Sequence, residues 1–298
     1  GIRDSVASRG LGDVYKRQIV FLAGVGPVLQ SFLLSLSEFS LVNPSQAPVG
    51  FQNYIALLSD SIFWKAIQVT LLLVFGSVFL EFIVGIFLAL LITSSGKRAR
   101  SVFSSIFVIP IAVAPIVTGI LWSPNSVFDD LNTLLYYGLS LGTYIDTTKP
   151  FTYYSLIIIS DAWIWAPLLM LVTVAVIRSI PKEQYEAADV MGASSWTKFQ
   201  KITFPAIIAS PAILVTLLLR TADAFRMFEV PYAWNFWLGQ DAELGASVDT
   251  VSVLMWKMFS STLYDFPIAQ ITTIAIVLLM VTLTTCALVL RRSPRLME

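Results

Sequence analysis

Three groups of polar side chains stand within or beside the apolar runs of this 298-residue chain, and each has the makings of a solute site. Glu81 sits near the middle of the run 66–93. Asp161 shares the run 154–177 with Trp163 and Trp165. Arg220, Asp223, Arg226 and Glu229 recur every three residues with alternating sign. A carboxylate beside indole faces suits a sugar, because its oxygens accept hydroxyl hydrogens while the sugar's C–H faces pack on the rings. Arg220 and Asp223 could line a polar path and hydrogen-bond the same solute. Each group also has a plainer reading. Glu81 could be a buried glutamate that holds helices in register. Asp161 and its tryptophans could form an interfacial aromatic belt with one acid at headgroup level. The four alternating charges could be an i,i+3 ion ladder, each pair contributing a few tenths of a kcal/mol.

Bond-making chemistry finds no support. The chain has no histidine, so the usual general base and the commonest metal ligand are both missing. Its single cysteine, Cys286, lies in an apolar run and reads as packing, with no intramolecular disulfide and no thiolate metal site. No nucleophile–base constellation stands out, which argues against a membrane-embedded enzyme. No catalytic residue, metal site or bound cofactor is therefore expected. Net charge is zero and there is no basic tract, so no nucleic-acid partner is expected either.

The elements that must position these side chains are membrane helices. Hydrophobic residues make up 56% of the chain and charged ones 13%, with a mean hydropathy of +0.78. Soluble domains carry roughly a quarter charged residues, so this is an integral membrane protein. A spanning helix needs about 20 mostly apolar residues. Six segments meet or approach that length: Ile19–Leu36, Ala66–Thr93, Val102–Trp122, Tyr154–Ile177, Pro205–Leu219 with a polar extension, and Ile268–Leu290. Lysine and arginine set their direction. Lys16, Arg17, Lys97, Arg98, Arg100, Arg178, Lys182, Lys198, Lys201, Arg291, Arg292 and Arg295 crowd one set of loops, while the alternate loops are acidic. The expectation is an all-α integral membrane protein of six transmembrane helices with both termini in the cytoplasm. Residues 1–17 match nothing that follows and read as a non-native or disordered tail. Residues 18–298 read as one domain, whose first apolar run serves as an uncleaved signal anchor.

Between the fourth and fifth spans lies a polar island, Ser179 to Pro205, placed in the cytoplasm by its flanking charges. Pro181 suits a first helical position. Glu183, Glu186, Ala187 and Ala188 favour helix, and Gly192 stops it. Ser194 or Ser195 can cap a second short helix running toward Pro205. Tyr185, Ala188 and Met191 then fall near one face at i, i+3 and i+6. An elbow of this kind must dock on something outside the bilayer. The other reading is an amphipathic helix lying on the membrane surface.

The island resembles the EAA loop of binding-protein-dependent ABC importer permeases. That pattern reads Glu-Ala-Ala, three residues, Gly, nine residues, Ile, one residue, Leu-Pro. Glu186-Ala187-Ala188, Gly192, Ile202 and Phe204-Pro205 keep the spacing, with Phe204 in place of leucine. Met191 stands where the sugar branch of the family usually has an aspartate. Other segments are similar to that branch: Gly50-Phe51-Gln52-Asn53-Tyr54 with Asp60, Phe63-Trp64-Lys65-Ala66 and Thr70; Ile109-Pro110 with Pro115 and Leu121-Trp122; and Arg220 to Glu229, as in trehalose- and maltose-type systems. Asn235 to Gln240 replaces a stretch that is often glycine-rich in the family.

The resemblance implies a non-enzymatic permease subunit in a prokaryotic plasma (inner) membrane, importing a mono-, di- or oligosaccharide. Its coupling-helix loop, with Tyr185, Glu186, Ala187, Ala188, Met191 and Gly192, would dock on a pair of cytosolic nucleotide-binding ATPase subunits. Those subunits would hold ATP and magnesium, since this chain has no Gly-x-x-x-x-Gly-Lys-Ser/Thr sequence. The resemblance further implies a second, homologous but different permease subunit and an extracytoplasmic solute-binding protein. The outer segment from Ala233 to Pro267 is a candidate landing surface for the latter, or else an interface anchor. Two other cargoes or drives are alternatives. A glycerol phosphate or other polyol permease would favour unpaired arginines, whereas Arg220 and Arg226 each have an acid three residues away. An ion-coupled secondary transporter would show broken helices in repeated halves, and no such pairing is found.

Overall fold

The computed structural model describes residues 21–42, 47–124, 126–138, 145–146, 149–238, 249–260 and 267–291. The expected tail over 1–17, and the charges at Lys16, Arg17, Arg292 and Arg295, lie outside the described residues. The described chain is mostly helical: α1 (Phe21–Ser35), α2 (Gln52–Leu58), α3 (Ser61–Ser94), α4 (Lys97–Val108), α5 (Pro115–Trp122), α6 (Val127–Thr133), α7 (Pro150–Ser179), α8 (Lys182–Val190), α9 (Ser195–Lys198), α10 (Phe204–Ile208), α11 (Pro211–Ala224), α12 (Glu229–Leu238), α13 (Val251–Ser260) and α14 (Ile268–Arg291).

Among the described residues three helices, α3, α7 and α14, are long and apolar enough to cross a membrane unaided. Two further candidates are bent pairs. The third expected span, Val102–Trp122, is not one continuous helix. Pro110 and Pro115 both lack an amide hydrogen, and the chain passes through a 3-10 turn, Ile109–Ala112, and extended backbone at Val113 and Ala114. The arms Arg98–Ala112 and Pro115–Gly138 meet at 95°. The fifth bends by 59° between Ile208 and Pro211, where proline again starts a helix. Arg100 donates to the carbonyls of Ile92, Thr93 and Ser95 at 3.1–3.2 Å, satisfying acceptors that the end of α3 leaves open.

The chain divides into two compact units. One comprises residues 1–64 and 254–281. In it a two-residue ladder pairs Ser37 with Pro48 and Glu38 with Ala47, a small departure from the all-helical expectation. Gly50, at φ +60°, turns the chain into α2. The Asn53 amide donates to the carbonyls of Ser35 and Ser37, and the Tyr54 hydroxyl meets Ser35 Oγ at 2.6 Å. Gly50, Asn53 and Tyr54 thus tie down the C-terminus of α1. In the same unit Ala269 N donates to the carbonyl of Phe39.

The other unit comprises residues 65–253 and 282–298 and holds both candidate sites. Its main core gathers Leu73, Tyr153, Ile157, Ile164, Val230 and Trp234. Glycines set the closest helix approaches. An added Cβ on Gly85 would lie 2.8 Å from Leu169 Cβ and 3.1 Å from the Met170 amide. One on Gly119 would lie 2.8 Å from Ala233 Cβ and 3.0 Å from Val230 Cα. Neither neighbour can rotate aside, because both are backbone-fixed atoms. Gly119→Val is therefore expected to force α5 and α12 apart at a cost of about 1–3 kcal/mol. This should read as a lowered melting temperature of the purified protein, whereas Gly26→Ala, whose Cβ meets nothing within 4 Å, should leave it near that of the parent.

Candidate functional site

The island folds as an elbow. Pro181 is extended (φ −57°, ψ 134°) and precedes α8, so it caps the helix from outside and is not its first residue. Gly192 ends α8 at φ +73°, in the left-handed region where a side chain is strained. Its N–H donates to the Asp189 carbonyl and that of Ala193 to the Ala188 carbonyl, both at 2.9 Å. That is the paired closure of a Schellman motif. Ser194, the first of the two serines considered, caps α9 by accepting from Thr197 N at 3.2 Å. Lys198 Nζ reaches Asp189 Oδ1 at 2.6 Å and braces the two arms.

Two of the expected docking residues face inward. Ala188 is buried, and the Tyr185 hydroxyl meets Thr203 Oγ1 at 2.9 Å. Glu186 and Ala187 are exposed. Val190 (90% exposed), Met191 (79%) and Trp196 (64%) are the elbow's exposed apolar side chains, the Trp196 ring stacking on Phe199 at 5.3 Å between centroids. From the elbow the chain runs through a π-turn, Phe199–Thr203, into α10 and then α11.

The second site lies where α3, α7 and α11 converge on Arg220. Arg220 Nε donates to both Glu81 oxygens at 3.0–3.1 Å, and Nη2 donates to Glu81 Oε1 at 2.8 Å. Nη2 also donates to Asp161, and Nη1 reaches Asp223 Oδ2 at 3.4 Å. The guanidinium lies 4.9 Å from the centroid of the Trp165 ring. Glu81, Asp161 and Arg220 are all buried. The helical register explains the arrangement. Asp161 and Trp165, four apart, share one face of α7, whereas Trp163 points elsewhere. Trp163 lies in an apolar cleft of about 500 Å³ with Ile106, Pro110 and Pro167, and its ring centroid is 6.4 Å from that of Trp122.

The charged stripe does not run along one helix. α11 ends at Ala224 and α12 starts at Glu229. Pro231 in the first turn of α12 would clash with the carbonyl of Met227 if the helix were continuous, and the intervening turn buries Phe225 and Met227. Arg226 sits in that turn, with its Nη2 2.8 Å from Asp223 Oδ1. Asp161, Trp165, Arg220, Asp223, Arg226 and Glu229 nevertheless border one cavity of about 320 Å³, closed on its apolar side by Pro115, Met227 and Val230. Its carboxylates, indole and guanidinia can hydrogen-bond and stack on a polyhydroxylated solute.

The sequence paired Arg220 with Asp223, its neighbour three residues on. Its nearer partner Glu81 is 139 residues away. The signal was present all the same: one acid within span two and one arginine within span five, each too costly in hydrocarbon to stand alone.

Comparison with known proteins places these features in context. The family described as binding-protein-dependent transport system inner membrane component matches residues 81–293. A trehalose/maltose transport system permease protein, MalF of Thermococcus litoralis, is 33% identical over 219 residues, 72% of either chain. A trehalose transport system permease protein, SugA of Mycobacterium tuberculosis, is 32% identical over 213 residues, covering 69% of this chain and 66% of that one. Among solved structures, a chain of a bacterial ABC transporter involved in the import of the acidic polysaccharide alginate superposes with a TM-score of 0.77. It is 23% identical and is covered to 99%, as is this chain.

Proposed function

The chain belongs to the binding-protein-dependent transport system inner membrane component family, and from that premise we propose that it is the permease subunit of an ATP-driven importer for an uncharged sugar. It makes no covalent chemistry of its own, and a separate ATPase supplies the drive. The permease domain runs over residues 18–298 and crosses the membrane six times. α3, α7, α14 and the two bent pairs provide five spans, and the segment containing α1 provides the sixth. Both termini and the elbow face the cytoplasm, between spans four and five. Charge bias in the loops supports that direction.

The observation that carries this reading is the exposed tip of the elbow. Val190, Met191 and Trp196 project beside Glu186 from a doubly capped turn that leads, through the π-turn, α10 and the 59° bend, into α11. Seated in grooves of an ATPase pair, the elbow would pass their closure to the helix that carries Arg220. A second, homologous permease chain would complete the path, and an external binding protein would deliver the solute. Alternating access then follows from the ATPases favouring one packing of the spans over the other.

Relatives named for trehalose and maltose transport, together with the indole and carboxylates of the cavity, support a sugar as cargo. Thermal-shift screening of the partner binding protein against sugars, polyols and amino acids tests the class. Stabilisation by a sugar is the expected result, and stabilisation by amino acids alone contradicts the reading. Within the chain, Trp165→Ala removes a stacking face and a cation–π contact worth about 0.5–2 kcal/mol. ATP-driven uptake of labelled sugar into proteoliposomes should then show a raised KM, by about twofold to thirtyfold for a lost stacking face of that size.

A further inference from the structure

We propose that Glu81 is a specificity-determining positioning residue: together with Asp161 it occupies Arg220, so that the cavity selects uncharged saccharides over anionic ones. This rests on the reading of the cavity as the sugar path. Glu81 itself does not border the cavity. It acts through Arg220, which does.

The donor count is the first ground. A guanidinium offers five N–H groups. The Nε hydrogen goes to Glu81, the two on Nη2 go to Glu81 and Asp161, and one on Nη1 is directed at Asp223. One hydrogen of the five is left for a solute. The contact through Nε and Nη2 is the bidentate fork that fixes an arginine in position as well as in charge. An arginine presented to a cavity would ordinarily be an anion site. Here its fork is turned onto α3, away from the solute.

The charge count is the second. Asp161, Asp223 and Glu229 border the cavity and Glu81 stands behind it, against Arg220 and Arg226. By formal count four acids stand against two guanidinia, two acids in excess. Arg226 is bound to Asp223 at 2.8 Å, and Glu229 forms no ion pair among the described residues. A phosphorylated or carboxylated sugar would meet more acid than base there. A neutral sugar would meet carboxylate oxygens able to accept its hydroxyl hydrogens, with Trp165 beside them. The burial of Glu81, Asp161 and Arg220 makes their charge felt, because Coulomb energies grow as the effective dielectric falls.

The test compares trehalose with trehalose 6-phosphate, which differ by one phosphate. Binding is read by saturation-transfer NMR on the permease assembled with its companion permease and ATPase, with the binding protein omitted so that its own selectivity does not enter. The measured quantity is the ratio of the two affinities. The wild-type complex should favour trehalose. Glu81→Gln keeps shape and an acceptor while removing one charge, and should shift the ratio toward the phosphate by about tenfold or more. Glu81→Asp should restore it toward wild type, which a purely steric role would not do. Asp161→Asn must move the ratio in the same direction as Glu81→Gln, and it serves in place of Glu81→Gln if that variant does not assemble. An unchanged ratio in the charge-removing variants, or a wild type that takes both ligands equally, overturns the inference. The underlying site reading fails in a different way: neither ligand binds the wild type, or binding is indifferent to Trp165→Ala.

Discussion

Arg220→Met is expected to be the most damaging single substitution in the membrane part of the protein. It removes the one cation between Glu81 and Asp161, which are 0% and 3% exposed. Removing one member of a buried ion cluster typically costs about 3–5 kcal/mol, because the remaining charge is left without compensation. Two carboxylates facing one another in hydrocarbon put the effect at the upper end. Net stability of folded proteins is only about 5–15 kcal/mol, so much of the variant should fail to accumulate as a monodisperse species. What does accumulate should melt well below the parent. The triple variant Glu81→Gln, Asp161→Asn, Arg220→Met should recover most of the loss, since replacing a whole buried cluster by neutral groups is often close to neutral. A single Arg220→Met variant as stable as the parent would mean that the three side chains do not share a buried site.

The second large effect belongs to the elbow. Gly192 holds φ at +73° with nothing within 4 Å of a would-be Cβ, so its requirement is one of backbone alone. Gly192→Ala should cost about 1–2 kcal/mol, the left-handed penalty of an ordinary residue. Gly192→Pro cannot adopt that angle, and it also deletes the N–H that closes onto the Asp189 carbonyl. The cap should then open at a cost of roughly 3 kcal/mol. Because the lesion is at an exposed turn, the spans should still assemble. The expected phenotype is a permease that inserts and purifies normally but supports no ATP-driven uptake. Alanine should give an intermediate uptake rate, and equal rates for alanine and proline would show that the conformation at Gly192 carries no coupling.

Much of this organisation was legible in the sequence because it rests on local rules. Long apolar runs announced α3, α7 and α14 within a few residues. Gly192 and Ser194 announced the elbow, because a left-handed stop and a side-chain cap are properties of single positions. The bends were harder to read. Pro110 and Pro115 gave warning of the third span, but a bundle tolerates proline, and only the extended residues Val113 and Ala114 between them turn tolerance into a break. The charged stripe after Arg220 looked continuous because its spacing is helical. The interruption comes from Pro231, whose effect falls four residues upstream of itself. Least legible was the Glu81–Arg220 pair. Spacing along one helix favours Asp223, whereas the choice of Glu81 depends on how α3 and α11 pack, which no local pattern encodes. The exposure of Val190 and Met191, against the burial of Ala188, likewise depends on which face of α8 meets Thr203 and its neighbours.

We propose that this chain transmits the work of a separate ATPase through the elbow between Ser179 and Pro205. The most direct test is co-purification of the ATPase with the affinity-tagged permease, comparing the parent with Glu186→Lys and Gly192→Pro in membranes holding equal amounts of inserted protein. The parent should retain the ATPase. Reversing the exposed charge at Glu186 should weaken retention by about thirtyfold, equivalent to about 2 kcal/mol at a charged contact, and opening the turn at Gly192 should abolish it. Full retention of the ATPase by both variants would mean that the elbow does not hold it.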